Sequence, residues 1–275
     1  MEIHISPSTA AGLKRLNDMV QNKTDLPFLL EHSGLRNSKL HTILSSTGAG
    51  KSTLIRTILL DFLKLNEGKV LLWLSEETIS DFRTSASYMS DVEELSGRVV
   101  VFSEIDYRNE DDGELLKGLS KKHNHYLDLF KKKIAEGYSL IIFDNATTSD
   151  LYTENIITQV DMANEIKRAS SKCPCPIIVV AHTAKNEKIK KLIFDADSIR
   201  GSAKITQISE YIYCLQTIQT DTGRKSFLII EKSRNHAIKN KLYILIYDEE
   251  QKIYNKSKIC ELSLLQDCAR GKNGI

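Results

Sequence analysis

The segment "KLHTILSSTGAGKSTLIRTILLDFL", residues 39–63, constrains the fold more than any other part of the chain. An apolar run of strand length leads into a turn of small residues, which leads into an amphipathic run of helix length. This is the context of a phosphate-binding loop, whose pattern is Gly, four residues, Gly, Lys, and then Ser or Thr. Ser45 stands where the pattern has its first Gly. A small residue can serve there if its φ angle is negative, so the sequence still predicts the loop.

Each residue of this loop has an expected role. Backbone N–H groups near Gly48 and Gly50 can surround a phosphate, and the positive end of the following helix adds to the attraction. Lys51 would reach the outer phosphates, and the Ser52 hydroxyl would hold Mg²⁺. The alternative, a purely structural one, is a glycine-rich turn before a helix that binds no ligand. The predicted nucleotide-binding set is Ser46, Thr47, Gly48, Ala49, Gly50, Lys51, Ser52 and Thr53.

Apolar runs of strand length alternate with helix-like segments along the chain. The first five runs are read as continuously apolar, as is typical of strands buried on both faces. They are 39–44, 69–74, 98–103, 139–144 and 176–182. Helices are predicted between them at 51–65, 78–89, 112–135 and 151–171. This alternation predicts an α/β fold with a mostly parallel central sheet and helices on both faces. Three closely spaced runs, 210–218, 225–233 and 241–250, predict an antiparallel C-terminal extension.

Acidic residues follow two of these strands. Asp144 ends the run "SLIIFD", where its carboxylate would hold Mg²⁺ through water. Glu76 and Glu77 follow "KVLLWL" at the same edge of the sheet, where ligands gather in open α/β sheets. One of the two could orient or deprotonate an attacking water, and Glu76 is the preferred candidate. The alternative is that both simply begin the next helix, where acids suit the helix dipole.

Composition narrows the class of protein. The chain has 275 residues and a formal net charge of +2, whereas proteins that coat themselves in nucleic acid are usually more basic. Its five cysteines are an odd number, and no signal peptide precedes them, so we expect a reduced, cytoplasmic protein. The sequence contains no run of 18 apolar residues, so no membrane span is predicted.

The expected parts of the chain are a leader with a linker-type helix at 1–25, one nucleotide-binding domain at 26–258 and a tail at 259–275 whose end is frayed.

These pieces, in this order, resemble the RecA-like P-loop ATPases, and within them the DnaB-type hexameric replicative helicases and the related plasmid RepA helicases. The resemblance runs from about residue 26 to residue 255 and implies a RecA-like P-loop NTPase core that uses ATP and Mg²⁺. "WLSEET" also resembles the Glu-Glu of KaiC-like ATPases, in which such a glutamate serves hydrolysis, so the resemblance gives that role to Glu76 with Glu77 adjacent. In the helicases the first glycine of the loop is itself often another small residue, as Ser45 is here.

The resemblance also gives roles to residues late in the chain. In "PIIVVAHTAKN", His182 stands where the family senses the γ-phosphate. Arg200 belongs to a segment similar to the family's Arg-Gly-Ser motif. "LIIEKSRNHAIKNK" resembles a Lys-x-Arg-Asn stretch whose Lys and Arg reach the nucleotide of a neighbouring subunit, which would be Lys232 and Arg234. His236 departs from the family's usual Gly. The implied assembly is a homo-oligomer, a hexameric ring in these helicases, that hydrolyses ATP between subunits.

Two functions remain open at this point. A helicase or translocase would pass single-stranded DNA through loops after the second acidic strand and after the His182 strand, and could engage replication partners. The first of these loops has no basic residue and only Tyr152 as a stacking candidate. The second could track a DNA backbone or be a solvated helix face. The alternative function is a KaiC-like regulatory or assembly ATPase without unwinding activity. The predicted DNA-contacting residues are Lys185, Lys188, Lys190 and Lys191.

Overall fold

The computed structural model describes residues 22–86, 96–110, 119–152, 155–184, 194–234 and 240–270. Nine strands of these residues form one sheet in the spatial order 3-2-4-5-1-6-7-8-9. In chain order the strands are β1 (Leu40–Ser45), β2 (Val70–Leu74), β3 (Val99–Ser103), β4 (Leu140–Asp144), β5 (Ile177–His182), β6 (Tyr211–Thr220), β7 (Gly223–Ser233), β8 (Lys241–Asp248) and β9 (Ile253–Ile259).

The sheet divides into a parallel and an antiparallel part. The pairs among β3, β2, β4, β5, β1 and β6 are parallel, and β6, β7, β8 and β9 follow as an antiparallel meander. The sequence prediction of a mostly parallel sheet with an antiparallel extension is therefore confirmed. The five continuously apolar runs lie within one residue of β1 to β5. Strand β9 was not predicted.

Helices cover both faces of the sheet, and the predicted helix at 51–65 has the same limits in the structure. The predicted helices at 78–89, 112–135 and 151–171 are shorter among the described residues, and part of each prediction lies outside them. The helices are α1 (Pro27–Leu30), α2 (Lys51–Leu65), α3 (Ile79–Ala86), α4 (Glu104–Glu110), α5 (Leu119–Ile134), α6 (Ile156–Lys172), α7 (Lys204–Ile208) and α8 (Leu262–Ala269).

Two hydrophobic cores lie on opposite faces of the sheet. On one face α2 packs through residues such as Leu54 and Ile58. On the other face α5 and α6 pack through residues such as Phe130 and Ile166, against the fully buried Trp73 of β2. Successive strand residues point to opposite faces, so a strand covered on both sides must be apolar throughout. This explains why β2, β4 and β5 appear in the sequence as apolar runs up to the polar residues that end β4 and β5.

The C-terminal segment of the described residues includes a helix within the predicted tail at 259–275. Residues 262–269 form α8, and Leu265 and Cys268 are buried against the core on the α5 and α6 face. Only 271–275 of the predicted tail, and 1–21 of the predicted leader, lie outside the described residues.

The strand directions decide which loops can meet. Strands β1, β2, β4 and β5 are parallel, so the loops after Ser45, Leu74, Asp144 and His182 emerge at one edge, which we call the carboxyl edge. The turn between β6 and β7 also lies there, because β6 runs parallel to β1. The start of β6 and the end of β7 lie at the opposite edge.

No helix of the described residues is both long enough and apolar enough to cross a membrane.

Candidate active site

The glycine-rich turn after β1 has the backbone geometry that the sequence pattern requires. Gly48 and Gly50 have φ angles of 74° and 94°, in the left-handed region that favours glycine. Ser45 is instead part of the extended strand β1, opposite His182 of β5 and Leu215 of β6. The two positions that need glycine therefore carry it, and Ser45 occupies a position that does not.

Lys51 begins α2, and its side chain turns back over the loop. Its ammonium nitrogen lies 3.3 Å from the carbonyl oxygen of Ser46 and 3.3 Å from Nδ1 of His182. The residue is 7% exposed. Burial lowers the pKa of the Lys51 ammonium, although the charges of Asp144 and Glu76 oppose that shift. A buried cation at a helix N-terminus is well placed to meet an anionic phosphate.

Three carboxylates lie at the carboxyl edge near Lys51. Asp144 ends β4, and Glu76 and Glu77 lie in the loop after β2. Burial raises the pKa of Asp144 to about 7, with Lys51 opposing the shift and the two glutamates adding to it. Burial also raises the pKa of Glu77. A cation would relieve this crowding of negative charge, and the Asp144 carboxylate and the Ser52 hydroxyl are oxygen ligands of the kind that Mg²⁺ prefers.

His182 joins Lys51 to Glu76. Its Nδ1 faces the Lys51 ammonium, and its Nε2 lies 3.1 Å from Oε1 of Glu76 and 2.8 Å from Nδ2 of Asn145. This contact with the His182 ring lowers the pKa of the Glu76 carboxyl. Glu76 is therefore held ionised within the cluster, whereas burial shifts the pKa of Glu77 the other way.

Asn145 is a member of this cluster that the sequence prediction missed. Its Oδ1 accepts hydrogen bonds from the Thr147 hydroxyl, at 2.9 Å, and from the Thr148 backbone N–H, at 3.1 Å. These two donors fix the orientation of the amide, so that its Nδ2 points at His182. The only sequence signal is its place directly after Asp144, and such a position is common for an asparagine that merely begins a turn.

Glu104 is a fully buried carboxylate that fastens the loop after β4. It accepts a hydrogen bond of 2.6 Å from Nε1 of Trp73 and one of 2.9 Å from the backbone N–H of Asp150, and it also accepts from the Ser149 hydroxyl. Burial raises the pKa of Glu104. The segment that carries Asn145 is therefore tied to the start of α4. A single Glu at the start of a helix gives no sequence signal for this role.

The β6–β7 hairpin contacts the glycine-rich turn from the other side. The Arg224 guanidinium donates to the carbonyl oxygen of Gly48. The Thr217 hydroxyl donates to the carbonyl oxygen of Ala49 at 2.7 Å. These contacts give two carbonyl oxygens of the turn hydrogen-bond partners on the hairpin. Sequence reasoning missed both residues, because they lie more than 160 positions from the loop in the chain.

The other predicted nucleotide-binding residues lie around the same turn. Thr47 is exposed, and its hydroxyl lies 3.4 Å from Nδ1 of His182. The Thr53 carbonyl accepts the Thr57 hydroxyl within α2, so this residue takes part in the helix rather than in the turn. The backbone N–H of Arg200 donates to the His182 carbonyl at 2.8 Å, which places the exposed Arg200 beside the end of β5.

Lys232 and Arg234 do not join this cluster. Ser233 between them pairs with Tyr211 at the start of β6, at the edge opposite the glycine-rich turn. The Lys232 ammonium donates to the carbonyls of Thr206 and Gln207 at 3.0 and 3.2 Å, and the Arg234 guanidinium donates to Gln207 at 3.2 Å. Both cations thus sit at the C-terminus of α7, where they suit the helix dipole. Within one subunit they cannot reach the turn.

The predicted DNA-contacting surface is largely outside the described residues. Tyr152, the stacking candidate of the first loop, is 8% exposed, donates its hydroxyl proton to the Arg200 carbonyl and accepts from the Ser202 N–H. It is therefore part of the packing and offers no free ring for a base. The four lysines of the second loop, all outside the described residues, are Lys185, Lys188, Lys190 and Lys191.

Among the described residues, no group of three or more His, Cys, Asp or Glu side chains is arranged to hold a metal ion by itself.

Comparison with known proteins supports the fold. A scan against protein-family models gives no match, and neither does a search of curated proteins. Among solved structures, the crystal structure of a KaiC-like protein from the hyperthermophilic archaeon Pyrococcus horikoshii OT3 superposes with a TM-score of 0.60 and 13% sequence identity, covering 88% of this chain and 99% of that one. The RecA-like fold is therefore confirmed. The neighbour is KaiC-like, so it does not support the narrower resemblance to DnaB-type helicases.

Proposed function

We propose that the chain is an ATP hydrolase that works as a subunit of a homo-oligomer, and that its output is KaiC-like, namely regulation or assembly through contact with protein partners. The observation that carries the hydrolase proposal is the line of contacts from Lys51 through His182 to Glu76, beside the Asp144 carboxylate. The likeness to a KaiC-like structure over most of the chain supports the choice of output. The burial of Tyr152 supports it as well.

The residues of the site divide the work of binding between them. Backbone N–H groups of the turn around Gly48 and Gly50 surround the phosphates, and Lys51 exchanges its contact with Ser46 for one with the outer phosphates. Ser52 and Asp144 would hold Mg²⁺, which would supply positive charge to neutralise the phosphates.

Glu76 is the proposed general base. Its side chain is about half exposed, so water can reach it. His182 and Asn145 hydrogen-bond to its carboxylate and orient it near the Lys51 ammonium, where the phosphates would bind. A carboxylate that accepts a proton from an attacking water contributes roughly 10²- to 10⁴-fold in rate. His182 contacts both Lys51 and Glu76, so it is placed to report whether a γ-phosphate is present.

Glu76→Gln should retain ATP binding and lower turnover by roughly 10²-fold or more, because the amide cannot take the proton. Glu77→Gln is the matched control, since it makes the same change one residue away and should stay close to wild-type turnover. Phosphate release and nucleotide affinity measured on both variants check this. If Glu77→Gln loses turnover and Glu76→Gln keeps it, the assignment between the two is wrong.

A DNA helicase of the DnaB/RepA type is the second candidate, and the "KSRN" stretch with Lys232 and Arg234 is the observation that favours it. In this proposal the ring would move on single-stranded DNA and meet replication partners. The lysines of residues 185–191 would follow the DNA backbone, whose neutralised phosphates release counterions.

Single-stranded DNA should leave the ATPase rate unchanged if the output is KaiC-like. We would measure phosphate release with and without an oligonucleotide, and DNA binding at two salt concentrations. Replacing Lys188, Lys190 and Lys191 together by Ala is the matched variant. The helicase would become the better proposal if DNA clearly stimulates the ATPase rate of the wild type. The triple Ala variant should then lose both this stimulation and the salt dependence of DNA binding.

A further inference from the structure

The segment that joins α6 to β5 brings two thiols together. Cys173 follows the last residue of α6, and its N–H still donates to the carbonyl of Ala169 at 2.8 Å. Its φ and ψ of −76° and 130° are the extended values that a following proline favours. Pro174 then turns the chain so that the sulfur atoms of Cys173 and Cys175 lie 2.9 Å apart. A disulfide bond is about 2.05 Å long, so only a small movement separates this contact from a bond.

Ser38, in the loop before β1, hydrogen-bonds to the backbone of both cysteines. Ser38 donates its N–H to the Cys175 carbonyl at 3.1 Å and its hydroxyl proton to the Cys173 carbonyl at 2.9 Å. The described cysteines all carry free thiols. Two thiols on a fixed turn lose little conformational freedom when they join, which favours the intramolecular bond over reaction with a second molecule.

A surface cleft borders this pair at Cys173. It lies between the ends of α5 and α6, has a volume of about 490 Å³, and is lined by Cys173 and Pro174 together with Lys131, Glu165, Arg168 and Lys172. The volume is in the range of small-molecule sites. Three cations against one carboxylate make the cleft locally positive, so it suits an anionic reagent such as glutathione disulfide.

We propose that Cys173 and Cys175 form a redox site, which a low-molecular-weight disulfide oxidises to an internal disulfide. This goes beyond the proposed ATP hydrolysis and does not depend on it. The Cys173 thiolate attacks one sulfur of glutathione disulfide, forms a mixed disulfide and releases glutathione thiolate. Cys175 then loses its proton to solvent and attacks the Cys173 sulfur, which releases the second glutathione. Two protein thiols are oxidised, and one glutathione disulfide is reduced to two glutathiones.

The order of attack follows from the asymmetry of the pair. Both thiols are buried, Cys173 at 4% exposure and Cys175 at 1%, but only Cys173 lines the cleft. The neighbouring Cys175 thiol lowers the pKa of Cys173, and the same contact raises the pKa of Cys175. The thiolate is the form that attacks a disulfide, so the contact favours Cys173 as the first nucleophile.

The test treats the folded, full-length protein with glutathione disulfide and follows its intact mass and disulfide map. Wild type should lose two thiols to a bond within one peptide that contains both residues. Cys175→Ser should stop at the mixed disulfide with glutathione. Cys173→Ser should react at least about tenfold more slowly than wild type, because the low-pKa thiolate is gone. Melting curves confirm that each Ser variant is folded.

Cys260 and Cys268 provide an internal comparison. Both are free thiols of the same protein and are exposed to the same reagent. Burial raises the pKa of Cys260, and the neighbouring Cys268 raises it further. A bond mapped to Cys260 and Cys268, or five free thiols after the time that exchange requires, would overturn the proposal. Equal rates in wild type and Cys173→Ser would do the same. None of these outcomes bears on ATP hydrolysis.

Discussion

Lys51→Ala is expected to remove ATP binding at micromolar nucleotide and to lower turnover to background. The side chain supplies a buried cation at the mouth of the glycine-rich turn, 3.3 Å from a loop carbonyl that a phosphate would replace as its partner. A hydrogen bond to a charged group contributes about 1.5–3 kcal/mol, which is roughly a 10- to 150-fold change in affinity for binding alone. The effect on turnover is larger because the same cation faces the reacting phosphate.

Loss of folding can be separated from loss of the site. Folding lowers the pKa of Lys51, so the charged side chain costs stability at neutral pH, and its removal should not lower the melting temperature of the protein without nucleotide. Lys64→Ala is the matched control, since it removes an exposed lysine from the last turn of the same helix. Fluorescent-nucleotide binding, phosphate release and melting curves decide the matter. Wild-type turnover in a folded Lys51→Ala protein would contradict the nucleotide site.

The parallel half of the fold was predictable because burial on both faces leaves a plain trace in the sequence. Strand β9 shows the limit of that argument. Only Ile253 and Tyr254 of its seven residues are buried, because it lies at the edge of the sheet and the rest of the strand faces solvent. Helix α7 spans five residues, fewer than two turns, so it shows no helical period. Such elements are defined by the sheet that they join.

The candidate site divides in the same way. Asp144 and His182 end recognisable strands, Lys51 and Glu76 lie shortly after such strands, and parallel strands bring these positions to one edge. Arg224 could not be found like this, because its contact with the glycine-rich turn depends on the length and pairing of the β6–β7 hairpin. Neither could Glu104, Asn145 and Thr217, whose roles depend on hydrogen bonds across the fold.

The position of Lys232 and Arg234 bears on assembly. Strand β6 extends by roughly 13 Å from Tyr211 to Leu215, which lies opposite Ser45. Lys232 and Arg234 lie at the Tyr211 end of this strand, away from the glycine-rich turn. They are held there by the carbonyls that end α7. If they serve nucleotide chemistry, the nucleotide belongs to another subunit. That arrangement is a head-to-tail contact, which closes as a ring or continues as a helix.

Arg234→Ala is therefore expected to bind ATP nearly normally and to assemble, yet to hydrolyse ATP roughly 10³-fold more slowly. The pocket of the variant is intact, because Lys51, Ser52 and Asp144 are in the subunit that holds the nucleotide. An arginine supplied by a neighbour neutralises charge on the phosphoryl group during transfer, and in well-studied cases it is worth that much or more. Nucleotide affinity, native mass and phosphate release measure the three parts of this expectation.

Mixing two inactive variants tests whether Arg234 acts across an interface. An Arg234→Ala subunit keeps a good pocket, and a Lys51→Ala subunit keeps a good arginine. In a random equal mixture about a quarter of head-to-tail interfaces pair the two intact halves, so about a quarter of wild-type activity should return. A mixture of Lys51→Ala with Glu76→Gln is the control, since every pocket in it is defective, and it should stay inactive. If Arg234 only held Gln207 and α7 within its own subunit, both mixtures would remain inactive although mixed assembly is confirmed, and the proposed shared active site would be wrong.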